Sequence, residues 1–324
     1  STVNTDADVF TVGAAGGAVA VGASVALIQL SPTVRTYIGA VPGTAAANDG
    51  NKGDIQANNI SIYNDIDAVA KSYAANVSGG AIALGGQVLL VFNRSDAYAG
   101  INRMDITQAG DIVMDGDMNA TGRAYLAQLA GGAVSVGMTT SYVLLDASNI
   151  VELDVTDSAV NARSVSMYTG RENRLNSSEA EAVAGSAGAV SVGLNSAVAD
   201  NNTRNIARIL GGTDAASNIL NLTGALKIGA YGRATANAQV WGGSVGAVSV
   251  LGSAAVALLR SRQEAQVQGG NITASSLDAV SSLNKNLDNM DYVDASKVPG
   301  AGNIKEGELD SDSRKAAAFA GLIS

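Results

Sequence analysis

One short motif recurs along the whole chain. It appears as GGAVAV at Gly16, and returns as GGAIAL, GGAVSV, AGAVSV and VGAVSV beginning at Gly79, Gly131, Ala187 and Val245, at intervals of 63, 52, 56 and 58 residues. Self-similarity at a nearly fixed period means one supersecondary unit copied and stacked, each copy burying a face its neighbour would otherwise expose. Within the motif Val134 and Val136 fall on one side while Ala133, Ser135 and Gly137 fall on the other. Period two is the signature of a strand. The small-residue side carries no bulk, so another backbone layer or neighbouring side chains can approach it closely, and the strand is expected to pack on both faces.

The first copy lies in an uncharged run, Val12 to Leu30, long enough for a membrane-spanning helix. The recurring glycines and the charges soon after each copy argue against that reading. Thirty-eight glycines, an aromatic content of 4% and only three prolines, at 32, 42 and 299, describe a chain that packs Val, Ile, Leu and Ala in thin layers. No residue between Pro42 and Pro299 lacks a backbone donor, as long uninterrupted hydrogen-bond ladders require. Hairpin dipeptides are scarce, Asp49-Gly50 and Asp115-Gly116 alone, which disfavours an antiparallel meander.

The expected fold is therefore all-β: a parallel, right-handed β-solenoid of about five degenerate repeats of 52–63 residues over 1–283, then an acidic capping segment or linker over 284–324. From Asn218 to Gly270 the text divides at Gly242-Gly243 into two parts of about 25 to 28 residues, which predicts two coils per repeat. Ten coils at strand spacing would make a rod of about 50 Å. Ala68 to Ala75 has helical propensity but sits where other repeats alternate. Ser311 or Ser313 is expected to cap a short helix through Ala320 that closes the end of the stack. The absence of a leading Met or signal peptide before Ser1 reads as a processed chain or an excised segment.

Composition removes several chemistries. There is no histidine and no cysteine, so Ser-His-Asp and Cys-His catalysis, thiolate metal sites and disulfides are all excluded. A net charge of −9 with no basic cluster argues against a nucleic-acid partner. Asp111, Asp115, Asp117 and Asn119 resemble a calcium loop in outline, since hard cations want several oxygens around a tight turn, but the glutamate an EF-hand needs is missing. Asp49 to Asp54 is a weaker version, with a solvated turn as the plainer reading of both. A carbohydrate-active β-helix would need carboxylates and cations on one face, for which Arg94, Arg103, Asp105 and Asp111 are candidates. The Asn-x-Ser/Thr tripeptides at Asn59 and Asn221 read as ladder or turn asparagines.

The unit formed by Gly16 to Ala26 with Tyr37-Ile38-Gly39, and again by Gly188 to Ala199 and Gly246 to Ala257, resembles the repeats of filamentous-haemagglutinin-like and leukotoxin-like large adhesins of Gram-negative bacteria. The ending Asp312 to Ala317 is similar to a segment that such proteins place after a repeat block. The resemblance implies a right-handed β-solenoid on the cell surface or secreted, and supplies no functional residues. On this reading the chain is a non-enzymatic, extracellular rod that presents loops such as Pro42 to Asp54 to a host or matrix protein or a glycan, with no cofactor and no membrane insertion. A second reading is a filament subunit that self-associates along strand edges, through Asp8 to Gly13.

Overall fold

The computed structural model describes residues 1–42, 53–171, 174–212 and 217–284 in full, and the backbone of 314–323. The described residues form strands, turns and irregular links with no helix. The first repeat supplies β1 (Thr2–Leu30), β2 (Thr33–Gly39) and β3 (Asp54–Ala57); the second supplies β4 (Ile60–Asn93), β5 (Asp96–Asn102) and the start of β6 (Asp105–Gly131). The third continues through β6, β7 (Val134–Leu145), β8 (Ser148–Asp154) and into β9 (Ala159–Thr169), and the fourth through β10 (Leu175–Ala187), β11 (Val190–Asn201), β12 (Arg204–Leu210) and β13 (Ile219–Leu222). The last holds β14 (Ala225–Val245), β15 (Val248–Leu259), β16 (Arg262–Gln268) and β17 (Asn271–Thr273), followed by β18 (Ser276–Leu283) and β19 (Arg314–Ile323).

Every pairing among the described residues is parallel, and all but that of β14 with β19 join residues one repeat apart. Val19 pairs with Ile82, Ile82 with Val134, Val134 with Val190 and Val190 with Val248, so the register reproduces the intervals between the motif copies. The same rule holds for β2, β5, β8, β12 and β16, which form a separate five-stranded sheet. Among the described residues no strand pairs with another strand of its own repeat. The expected division into two coils is thus replaced by a single layer per repeat. Five layers at the usual strand spacing span only about 20 Å from first to last, well short of the 50 Å expected.

The glycine pair of each motif marks a fold-back, and this explains the difference. In the third repeat an outgoing arm, Asp117–Gly131, reaches the turn at Gly132 and Ala133, and the return arm β7 then packs face to face on it. Three short sides, β8 and the two halves of β9, complete the layer. Two cores result. One lies between the arms near their base, where Met118, Ala120 and Leu126 meet Val143 and Leu145. The other is enclosed by the short sides, with Ile112, Met114, Val151, Leu153, Val160 and Val165 fully buried.

The second glycine of each pair is required by the stacking. A Cβ on Gly80, Gly132, Gly188 or Gly246 would lie 2.0, 2.1, 2.0 or 1.9 Å from the carbonyl oxygen of Gly17, Gly80, Gly132 or Gly188 in the preceding layer. The first glycine faces open space at Gly131, and accordingly Ala187 and Val245 take that place in later copies.

Ala68 to Ala75 is strand, its propensity overridden by pairing on both sides with β1 and β6. The helix expected through Arg314 to Ala320 is β19, a strand added in parallel to the free edge of β14. An open edge with a row of unpaired backbone groups outcompetes the modest helix preference of alanine. Residues 285–313, and with them the proposed cap at Ser311 or Ser313, lie outside the described residues.

Candidate interaction surface

Towards the fold-back the arms reverse the usual distribution of polarity. The small side of the motif points inward, as its lack of bulk requires, while the branched apolar side faces out. Val25 is 70% exposed and Ala26 beside it 4%. The packing expected on both faces is found on one only. Between the arms Gln128 approaches Gly85 and Gly137, the hydroxyl of Thr139 donates to Asn195 Oδ1 over 2.9 Å, and Ser186, Ser191 and Ser244 form a hydroxyl cluster. Both Asn76 and Gln128 keep buried side-chain atoms without a protein partner, as does Ser135. Outside stand Val19, Val21, Leu84, Met138, Leu194 and Val250, all exposed.

The outgoing arm adds an aromatic row. Phe10, Tyr73 and Tyr125 are neighbours in register across three layers, and Glu181 takes the same place in the fourth. The rings of Tyr73 and Tyr125 stack with centroids 5.4 Å apart and planes 8° from parallel. With Ala75, Ala127 and Val183 the row lines a shallow cavity of about 320 Å³. Alanine at the two central places leaves a trough beside the rings, and Glu181 puts a carboxylate at one end.

The polar flank of this trough is built from the next layers. Tyr125 Oη donates to Glu179 Oε2 over 3.0 Å, and Arg123 Nε sits 3.2 Å from the same oxygen. Burial, then the Glu179 charge, pushes the Tyr125 phenol up to about 12. Burial also raises the Glu181 carboxyl, with Glu179 adding to it. Tyr125 therefore stays a neutral donor, and Glu181 is a carboxyl that takes a proton more readily than usual.

The sequence singled out other residues, and the structure spreads them apart. Asp111, Asp115, Asp117 and Asn119 lie along the extended strand β6, about 26 Å from first to last. Asp111 pairs with Arg163 and accepts from Ser164 Oγ over 2.7 Å; Asp115 lies 3.8 Å from Arg171; Asn119 donates to Asp67 over 3.1 Å; Asp117 is buried. Among the described residues no three acidic groups are placed to share a metal ion. Gly53 and Asp54 end the other candidate loop, whose residues 49–52 lie outside the described ones, as does most of Pro42 to Asp54.

The candidates for an acidic-polysaccharide face also separate. Arg94 lies over the Phe92 ring, Arg103 bonds Asp154 Oδ2 over 3.0 Å, Asp105 Oδ1 accepts from the Ala159 amide, and Asp111 holds Arg163. Asn59 Oδ1 accepts from the Asp111 amide, and Asn221 donates to Asn161 Oδ1, so these asparagines bridge layers. Elsewhere charge is spent the same way: Glu152 accepts from Tyr98 over 2.8 Å and from Arg208 Nε over 2.6 Å, in consecutive layers. Burial first, then Glu152, drives the Tyr98 phenol far above its usual range.

The aromatic row was missed because single tyrosines in a strand carry no motif. Its signal was positional: Phe10, Tyr73 and Tyr125 each precede the first glycine of their motif by six residues. Searched against family models, curated proteins and solved structures, the chain matches none.

Proposed function

We propose that the chain is a block of a right-handed parallel β-solenoid from a non-enzymatic, extracellular adhesive protein, of the large-repeat kind that its motif resembles. One layer per repeat, each pairing one repeat away, supports the solenoid reading. The observation that carries the adhesive reading is the outward row Phe10, Tyr73 and Tyr125 ending at Glu181. Stacked rings beside a carboxyl and a neutral phenol suit the apolar face and hydroxyls of a glycan, or an aromatic stretch of a matrix protein. Stiff ladders hold that row on a rigid sheet, so little ordering entropy opposes capture. Glycan and matrix-protein arrays test it. The intact chain binds a defined subset, and Tyr73→Ala with Tyr125→Ala abolishes that binding while circular dichroism is unchanged. Binding that survives both substitutions removes this row from the account.

A second reading, a filament subunit joined by strand addition, draws on β1. Among the described residues, that 29-residue strand pairs with β4 along one edge only. Fibres that grow with concentration and vanish on deletion of Ser1 to Gly13 would favour it.

A further inference from the structure

We infer that the outer face of the return arms is an interface for a second copy of this chain, the two faces packing sheet on sheet. The face is formed by Val19–Leu27 and the outward residues of four further strands, the last β15. From the fold-back to the base of the arms, the one charged outward residue in the five layers is Asp200, whose side chain is 7% exposed and paired with Arg260 at the rim. The outgoing arm differs, since Asp8, Lys71, Arg123 and Glu181 interrupt its outer side. A chain of net charge −9 repels its copies almost everywhere, and this face is where two can meet without that penalty.

Its margin and size fit a stable pair. Arg94, Asp146 and Arg260 occupy the next positions beyond Phe92, Leu144 and Leu258 and form a charged rim at the base. Five strands about 4.8 Å apart and about eleven residues long cover roughly 850 Å² per copy, and two such faces reach about 1,700 Å², the ordinary size of a specific interface. Small places at Ala23, Gly86 and Gly252 alternate with Val25, Leu84 and Val250, giving sockets for the opposite sheet at the usual separation of about 10 Å. A lipid occupant fits less well. Among the described residues the outermost strands β1 and β15 pair along one edge each, and the backbone groups of the other edge would be stranded in hydrocarbon, whereas a face-to-face pair leaves them in water.

Sedimentation velocity on the full chain, over a dilution series, tests the inference. The native chain sediments as a dimer. Met138→Lys with Leu194→Lys, both exposed in inner layers and remote from the free edges, weakens the dimer at least about tenfold and yields a folded monomer. Leu129→Lys, on the outer side of the outgoing arm, leaves it intact. Should the lysine pair fail to fold, Leu194→Ser, matching Ser196 on the same face, takes its place and also weakens the dimer. A native chain that stays monomeric throughout the series overturns the inference, as does an assembly unchanged in the Met138 and Leu194 variants. A monomer that floats with phosphatidylcholine vesicles overturns it in favour of lipid.

Discussion

A Cβ on Gly132 would lie 2.1 Å from the carbonyl oxygen of Gly80 in the layer before, whereas one on Gly131 would meet nothing within 4 Å. Two adjacent glycines thus do different work, and they should respond differently to one methyl group. Gly132→Ala must move backbone on two layers at a fold-back that recurs through the stack, and should cost about 2 kcal/mol or more. Gly131→Ala should be neutral, or stabilise by a few tenths of a kcal/mol through the unfolded chain. Urea unfolding of the two variants checks both.

Ion pairs between layers should differ by their burial. Arg208→Ala leaves the buried Glu152 carboxylate with Tyr98 alone and should cost about 2 kcal/mol. Arg35→Ala breaks a pair whose side chains are 49% and 39% exposed, and should cost about 0.5 kcal/mol or less. Thermal unfolding at low and high salt distinguishes them, because only the exposed pair is screened appreciably.

Two carboxyls should give opposite pH responses. The folded chain holds a proton on Glu181 more tightly than the unfolded chain does, so this group lowers stability as pH rises from 4.5 upward. Glu181→Gln should remove that loss and gain a few tenths of a kcal/mol at neutral pH, since solvent screens the partly exposed group. Asp111 is the reverse: the Arg163 hydrogen bond, then that of Ser164, holds its carboxyl near 2 against 3.8, so its contribution is present above 3.8 and lost as pH falls towards 2. Asp111→Asn should flatten stability across that acid window, measured by circular dichroism during acid titration.

Much of the stacking was legible in the sequence, because parallel register copies the spacing of the motif: 63 residues from Val19 to Ile82 and 52 from Ile82 to Val134 are both text and geometry. What the text hid was the path within a layer. A glycine pair can divide two coils or fold one arm onto another, and the face-to-face packing of β7 on the outgoing arm of β6 shows the second. The exposure of Val25 and Met138 was hidden for a related reason, since alternation tells two faces apart without saying which is inside. At Asp111 to Asn119 a loop-like spacing lay on an extended strand, where four oxygens cannot converge.

The central claim is that each repeat forms one layer, paired in parallel with the next, and the chain's lack of cysteine permits a direct measurement. Thr140 and Ser196 are in register one repeat apart, with their hydroxyls 3.1 Å from each other, and Ala254 occupies the same place one layer further on. Thr140→Cys with Ser196→Cys should close a disulfide under mild oxidation, because in-register Cα atoms about 4.8 Å apart suit that bond. Thr140→Cys with Ala254→Cys, two layers or about 9.6 Å apart, should stay reduced. Failure of the first pair to close, or equal closure of both pairs, would contradict the one-layer repeat.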